Sequence, residues 1–302
     1  KLGVALDTFR IVQDTEFQDN ETGISPYGLV TLRYPMIRKS AKITQTIEPF
    51  FQLGWTGGAN LNVPIEESTR VEFDEGNLVS LSRFPRFDRR ERGRNIALGM
   101  NWGHYNPTGW SSTLTLGQVL QGDPNSGFTT TPGLVGATSD FVISGQLETP
   151  SGLELIGRSI FNERFDVAKA EVRGSLAINK AKIGASYTWL TDDLAEELTD
   201  DLAEERPIKV SELTFDGFYQ ISDKWSANAN WRYNLIDDRA SKSGLKVTYQ
   251  NECVSVDLSV NRSNPSSTVE PLTDLGFKVS LLGFSGSNGT RRLKRSCGKQ
   301  IK

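Results

Sequence analysis

Few groups in this 302-residue chain could do chemistry. The single histidine, His104, leaves no room for a histidine metal cluster or a histidine-driven triad, and no motif sets a serine or aspartate beside it. It reads as a surface residue near a strand end. Two cysteines, Cys253 and Cys297, fit neither a CxxC metal site nor a disulfide-dense mini-domain. They are free thiols or disulfide partners according to compartment. Acidic groups gather at 191–206, where the heptad Thr191 to Glu197 recurs as Thr199 to Glu205. The spacing is not that of a calcium-binding EF-hand loop, so a local duplication in a solvated loop is the simpler account. The stretch 56–94 carries an acidic piece (Glu66, Glu67, Glu72, Asp74, Glu75) and then a basic one (Arg83, Arg86, Arg89, Arg90, Arg92, Arg94). Most such charge runs are solvated faces. Nothing here calls for a cofactor or a metal, and an enzyme is not expected.

Bulk properties narrow the classes further. The net charge of −3, with no Lys/Arg block outside the last dozen residues, argues against nucleic acid. A mean hydropathy of −0.39 and the lack of any apolar run near the ~18 residues of a membrane helix exclude helical spans. The chain opens Lys1-Leu2-Gly3 without an initiator Met or a signal-peptide pattern, as a mature chain or a piece of a longer one would.

The elements that must position these residues announce themselves by alternation. Trp225, Ala227, Ala229, Trp231, Tyr233 and Leu235 alternate with Ser226, Asn228, Asn230, Arg232 and Asn234. The same period of two runs through Ile96–Trp102, Ala181–Trp189, Val254–Val260 and Leu275–Leu281. Side chains on opposite faces at successive positions mean strands. About fourteen are expected, near 2–12, 27–37, 41–55, 95–104, 112–121, 139–148, 152–163, 166–178, 180–190, 208–220, 224–235, 243–250, 253–262 and 274–284. The pattern is poorest at 152–163, where Ile156 and Ile160 share a face with Glu154 and Arg158. Short links (38–40, 105–111, 149–151, 179, 221–223, 251–252) alternate with links on the other side, of which 13–26, 56–94, 122–138 and 191–207 are long. Short turns on one side and longer loops on the other are the layout of an outer-membrane barrel.

A soluble sandwich would alternate too. Three features favour the membrane. Trp102, Trp189, Trp225, Tyr233 and Tyr249 sit at the ends of apolar rows, where interface girdles lie. The opposite faces are rich in Gly, Ser, Thr and Asn, and strand lengths cluster near the ~9–11 residues that cross hydrocarbon at a tilt. Because unpaired backbone cannot face lipid, such strands close into a barrel. The fold class expected is thus all-β, an antiparallel transmembrane β-barrel. Its polar faces (Asn228, Asn230, Arg232, Lys246, Thr248, Ser255, Asp257, Ser259, Lys278, Ser280) would line a wet lumen.

Several stretches resemble the C-terminal barrel of the LptD family of lipopolysaccharide-assembly proteins, also called organic solvent tolerance proteins. They are Ile47-Glu48-Pro49 after Tyr34-Pro35, Val71 to Leu78, Ser82 to Arg89, Tyr249 to Cys253, Val256 to Arg262 and Asp274 to Gly283; the basic ending Arg291 to Cys297 resembles α-proteobacterial members. The resemblance implies a barrel that inserts lipopolysaccharide into the outer leaflet, plugged by an LptE-type lipoprotein and joined to a periplasmic Lpt bridge through an N-terminal jellyroll. By this resemblance the jellyroll and the first barrel strands would be missing here, residues 1–284 would be the C-terminal part of the barrel and 285–302 a periplasmic tail. Family disulfides tie this barrel turn to the N-terminal domain, which makes Cys253 and Cys297 candidates for such ties; their bonding each other, or a free Cys297, are the alternatives. The resemblance also implies that 56–94 folds over or into the barrel as a cap. A passive porin is the rival reading.

Overall fold

A computed structural model describes residues 1–12, 14–65, 68, 71–122, 128, 133–190, 209–264 and 270–282. Among them are fifteen β-strands and no α-helix: β1 (Leu2–Arg10), β2 (Asn20–Arg33), β3 (Met36–Lys39), β4 (Thr44–Thr56), β5 (Gly93–Tyr105), β6 (Ser111–Gln121), β7 (Phe141–Glu148), β8 (Leu153–Phe161), β9 (Val167–Ile178), β10 (Ala181–Leu190), β11 (Val210–Gln220), β12 (Trp225–Asn234), β13 (Arg239–Gln250), β14 (Val254–Ser263) and β15 (Leu272–Leu281). They form one sheet in chain order, fourteen strands along the path, with β3 off it and paired to β4 alone. The all-β antiparallel meander expected for a barrel wall is therefore the one the chain adopts, as an open sheet whose end strands, β1 and β15, are not paired with each other.

Three strand boundaries depart clearly from expectation. β2 begins at Asn20 rather than 27, because Asn20–Gly28 pairs residue for residue with β1. The stretch carries Asn, Gly and Pro, all depleted in strands, and only the pairing overrides that composition. The expected strand 27–37 is also broken at Tyr34-Pro35. Proline has no backbone N–H to give to the ladder, and the chain resumes as β3 against Met36–Lys39's partners Thr44–Ile47. β13 starts earlier than expected, at Arg239, across a register shift opposite Arg232 and Tyr233.

The chain divides into two compact units. In the first (1–150, 154–172 and 188–210), one face of the sheet is apolar and bare, with Leu2, Val4 and Leu6 on β1 and Phe51, Leu53 and Trp55 on β4 all exposed. The other face mixes polar residues such as Gln52 and Asn95 with apolar ones such as Phe50, Ala97 and Val119, and is half covered. In the second (151–153, 173–187 and 211–302), Leu275, Phe277, Val279 and Leu281 of β15 form an equally bare row, Leu275 being 85% exposed. A soluble protein does not leave rows of this kind open to water; hydrocarbon is their solvent. Ala229, at the middle of β12, belongs to this lipid face with Leu245 opposite it. Ala229→Arg should cost about 2–4 kcal/mol in a folding titration into lipid vesicles. A larger loss at Asn230 than at Ala229 would mean the faces are reversed.

Candidate functional site

The polar face of the second unit is built by register. Asn228 lies opposite Lys246, and Lys246 opposite Ser259. One rung on, Thr248 faces Asp257 and Asp257 faces Lys278. Ser255 faces Ser280, and Asn230 and Arg232 continue the row against Gly244 and Lys242. All ten residues named from the sequence thus share one face. The Thr248 hydroxyl donates to Asp257 at 2.7 Å, and Arg232 reaches Glu212 at 3.9 Å. Arg173 pairs with Asp216 at 3.1 Å, both side chains exposed. The result is a mixed-charge surface, interrupted by Phe218 across from Asn228.

The polar face of the first unit carries a second layer. The connection from β4 to β5 folds back over the sheet and buries Val71, Phe73, Leu78 and Phe84 against Phe50, Ala97, Val119, Val142 and Ile160 on five successive path strands. The sequence of the segment explains the docking. Asp74 caps a tight turn, its carboxylate accepting from the Gly76 and Asn77 N–H groups, while the Asn77 amide donates to the Glu72 carbonyl. This turn drives Leu78 onto Gly117, where any Cβ would overlap the leucine. Farther on, Phe84 stacks on Phe128 of the β6–β7 connection at 4.7 Å.

Polar groups tie the segment down at its two ends and along its base. Arg90 makes a bidentate bond to Asp7 of β1, both contacts 2.8 Å, and that bond holds its guanidinium above the ordinary value. Arg92 donates to the Ser25 hydroxyl and to the Gly57 and Ala59 carbonyls; burial lowers its value, with like-charged Arg90 adding to the effect. At the other end Arg158 of β8 meets Asp74 at 3.3 Å and Glu75 at 3.6 Å. Between them Arg83 and Glu91 form an ion pair shielded from solvent. Burial pushes the Glu91 carboxyl above its usual range while Arg83 pulls the other way. Gln52 donates to the Val79 carbonyl and Asn95 to the Leu81 carbonyl.

These contacts correct one sequence reading and extend another. The 56–94 charges are not merely a solvated face: Arg83, Arg90, Arg92, Asp74 and Glu75 are the fasteners of a cap lying against the sheet. Glu66 and Glu67 lie outside the described residues, as do the acidic repeat at 191–206, Cys297 and the tail from 285. Asp7 was missed. The available signal was a lone carboxylate inside β1 whose cross-strand neighbour, Gly23, cannot pair with it. His104 is no open surface residue but half-buried, its ring edge-on to Trp110 at 4.7 Å and its Nδ1 3.4 Å from the Gln45 amide. Among the described residues no cluster of potential metal ligands occurs and no cysteine is a free thiol. Cys253 is half-buried at the β13–β14 turn, its N–H donating to Asn251 at 2.9 Å.

Fourteen antiparallel path strands with one bare apolar face and one polar face define an outer-membrane β-barrel. The family model of LptD, LPS transport system D, matches residues 6–225, and the chain belongs to that family. It is thereby a component of lipopolysaccharide transport. The match ends in β12, so the likeness of Tyr249–Gly283 to the family lies beyond it. No curated protein matches. Two variants of the Rhodopseudomonas blastica porin align over 93% of this chain and 100% of theirs, at 13% identity and TM-scores of 0.31 and 0.32, a distant likeness that defines no function.

Proposed function

We propose that this chain walls the outer-membrane barrel through which lipopolysaccharide is inserted into the outer leaflet of a Gram-negative cell. The observation that carries the reading is the pairing of a polar face that begins at Asn228 and ends at Ser280 with a bare apolar face on the same strands. The polar row, from Asn228 to Lys278, would line the lumen and keep a phosphorylated sugar head hydrated. The apolar row leaves acyl chains a lipid solvent. In this reading an LptE-type lipoprotein plugs the barrel, and a periplasmic Lpt bridge feeds it through an N-terminal domain.

The test is replacement. The intact protein containing this chain is expressed in cells depleted of their own LptD, and lipopolysaccharide on intact cells is measured by antibody binding. Restored surface lipopolysaccharide supports the reading. A barrel that reaches the outer membrane and conducts ions freely, while lipopolysaccharide stays inside, identifies a porin instead.

Topology gives a second test. Strands β14 and β15 separate the turn at Cys253 from the chain's end, so Cys253 and Cys297 belong on one side of the membrane, the periplasm, where thiols oxidise. Both should resist a membrane-impermeant thiol reagent on whole cells and react only after reduction and outer-membrane permeabilisation. Labelling from the cell exterior would invert the assigned orientation.

A further inference from the structure

We propose that Arg10, Arg94 and Arg262, at the ends of lipid-facing rows, bind the phosphates of an acylated glycolipid lying against the outside of the barrel in the outer leaflet. The inference rests on the barrel fold and its orientation, and it holds whether or not the barrel transports that lipid.

Three apolar rows run out into an arginine. On β1 the bare residues Leu2, Val4 and Leu6 are followed by Thr8 and then Arg10. On β5, read toward its first residue, Leu98 and Ile96 lead to Arg94. On β14, Leu258 and Val260 lead to Arg262. Residues two apart in a strand share a face, so each arginine stands on the hydrocarbon side of the sheet and not on the opposite one. All three are exposed, and none has an ion-pair partner among the described residues. They differ in this from Arg83, Arg90 and Arg92, whose guanidinium groups are engaged within the cap and its anchors.

Their depth suits a headgroup. Eight positions separate Arg94 from Trp102 at the other end of the same row. That is about 27 Å of strand, or about 20 Å of height at the usual barrel tilt, close to the ~25 Å apolar band of outer-membrane barrels. Arg94 therefore stands at the edge of the hydrocarbon, where a charge on the lipid face is tolerated as it is not at mid-membrane. Trp55, directly across from Arg94, marks the same boundary. In the second unit Arg262 lies across from Ser243, and Ser243 across from Trp231, so tryptophan and arginine again share a rung.

The placement is one-sided. β1 leads into the β1–β2 connection, β5 leaves the β4–β5 connection and β14 leads into the β14–β15 connection. In an antiparallel order these three connections share one side, opposite the turn at Cys253. The other ends of the rows, at Leu2, at Trp102 with His104 and at Val254, carry no lysine or arginine. With Cys253 in the periplasm, the arginines face the outer leaflet alone. A guanidinium fork pairs with phosphate oxygens two at a time, while its stem lies along the apolar row beneath it. A phosphate that carries acyl chains satisfies both parts together, the chains lying along Leu258 and Val260 or Ile96 and Leu98; free phosphate meets only the charge.

The experiment titrates the purified intact protein in detergent and counts bound lipid per barrel by native mass spectrometry. The probes are bis-phosphorylated lipid A, lipid A stripped of both phosphates, and phosphatidylglycerol. Arg10→Gln, Arg94→Gln and Arg262→Gln together should weaken binding of the phosphorylated glycolipid roughly five-fold or more, and leave binding of the stripped form unchanged. Lys39→Gln, Lys180→Gln and Lys224→Gln remove as many exposed charges from the short-turn side and should change neither. Sites inside the barrel are common to all three proteins and cancel in the comparison. Unchanged affinity in the arginine variant overturns the proposal, as does an equal loss in the lysine variant or an equal loss for the stripped lipid. Phosphatidylglycerol held as tightly as the glycolipid, and released by the same substitutions, overturns the assignment to a glycolipid. Lipopolysaccharide delivery is not read here, so the transport reading stands or falls separately, by the replacement test above.

Discussion

Replacing Glu91 with Ala should loosen the cap by about 3–5 kcal/mol, because it strands the Arg83 guanidinium in a dry interface. Arg83 and Glu91 are both enclosed, with side-chain exposures of 0% and 3%. Removal of one partner leaves the other's desolvation uncompensated. Replacing both with Met should recover most of the loss, since an apolar pair of similar volume carries no such penalty. The readout is the urea dependence of protease cleavage within 71–92 of the intact protein. A Glu91→Ala cap as resistant as the original would show that the pair contributes nothing to docking.

Truncating Phe73 to Ala should cost about 3–5 kcal/mol of docking stability, the range for a large aromatic removed from a closed core. Phe73 is 1% exposed and belongs to the cluster with Val142 and Ile160. Gly133 approaches the ring so closely that even a Cβ there would press on it. The strands on one side are fixed by their ladders, so the hole cannot collapse from that direction. Phe87, in the same segment but 65% exposed, is the control. Its Ala variant loses only the stacking of Arg90 on its ring, worth no more than about 1 kcal/mol. Equal effects at the two positions would contradict the packing described.

The meander and its faces were legible because membrane and lumen impose opposite demands on alternate residues. Trp225 to Tyr233 and Leu275 to Leu281 show this with almost no noise. Where the demand changes, legibility fails. β8 reads badly because its polar face does not meet water throughout: Ile160 is buried under the cap and Arg158 reaches up to Asp74 and Glu75. The residues at fault in the pattern are the ones that receive the connection. Asn20–Pro26 was unreadable for another reason, since pairing with β1 outweighs the local preferences of Gly23 and Pro26. The arginines of 83–94 were visible, yet Asp7 and Ser25, the partners of Arg90 and Arg92, were not, because nothing local connects residues so far apart. The shared face of the ten polar residues from Asn228 to Ser280 was readable, being set by the same period of two.

The reach of the cap fixes an order of events during folding. Arg90 finds Asp7 83 positions back along the chain, and Asp74 finds Arg158 84 positions ahead. Both partners stand on strands of the wall, and the apolar cradle for Phe73 and Leu78 needs β4 to β8 already side by side. Contacts of such long sequence separation form only after the loop-closure cost has been met by other pairings. The cap must therefore arrive after β1 and β4 to β8 are in place. Until then the face of these strands that carries Phe50, Ala97, Val119, Val142 and Ile160 stands uncovered.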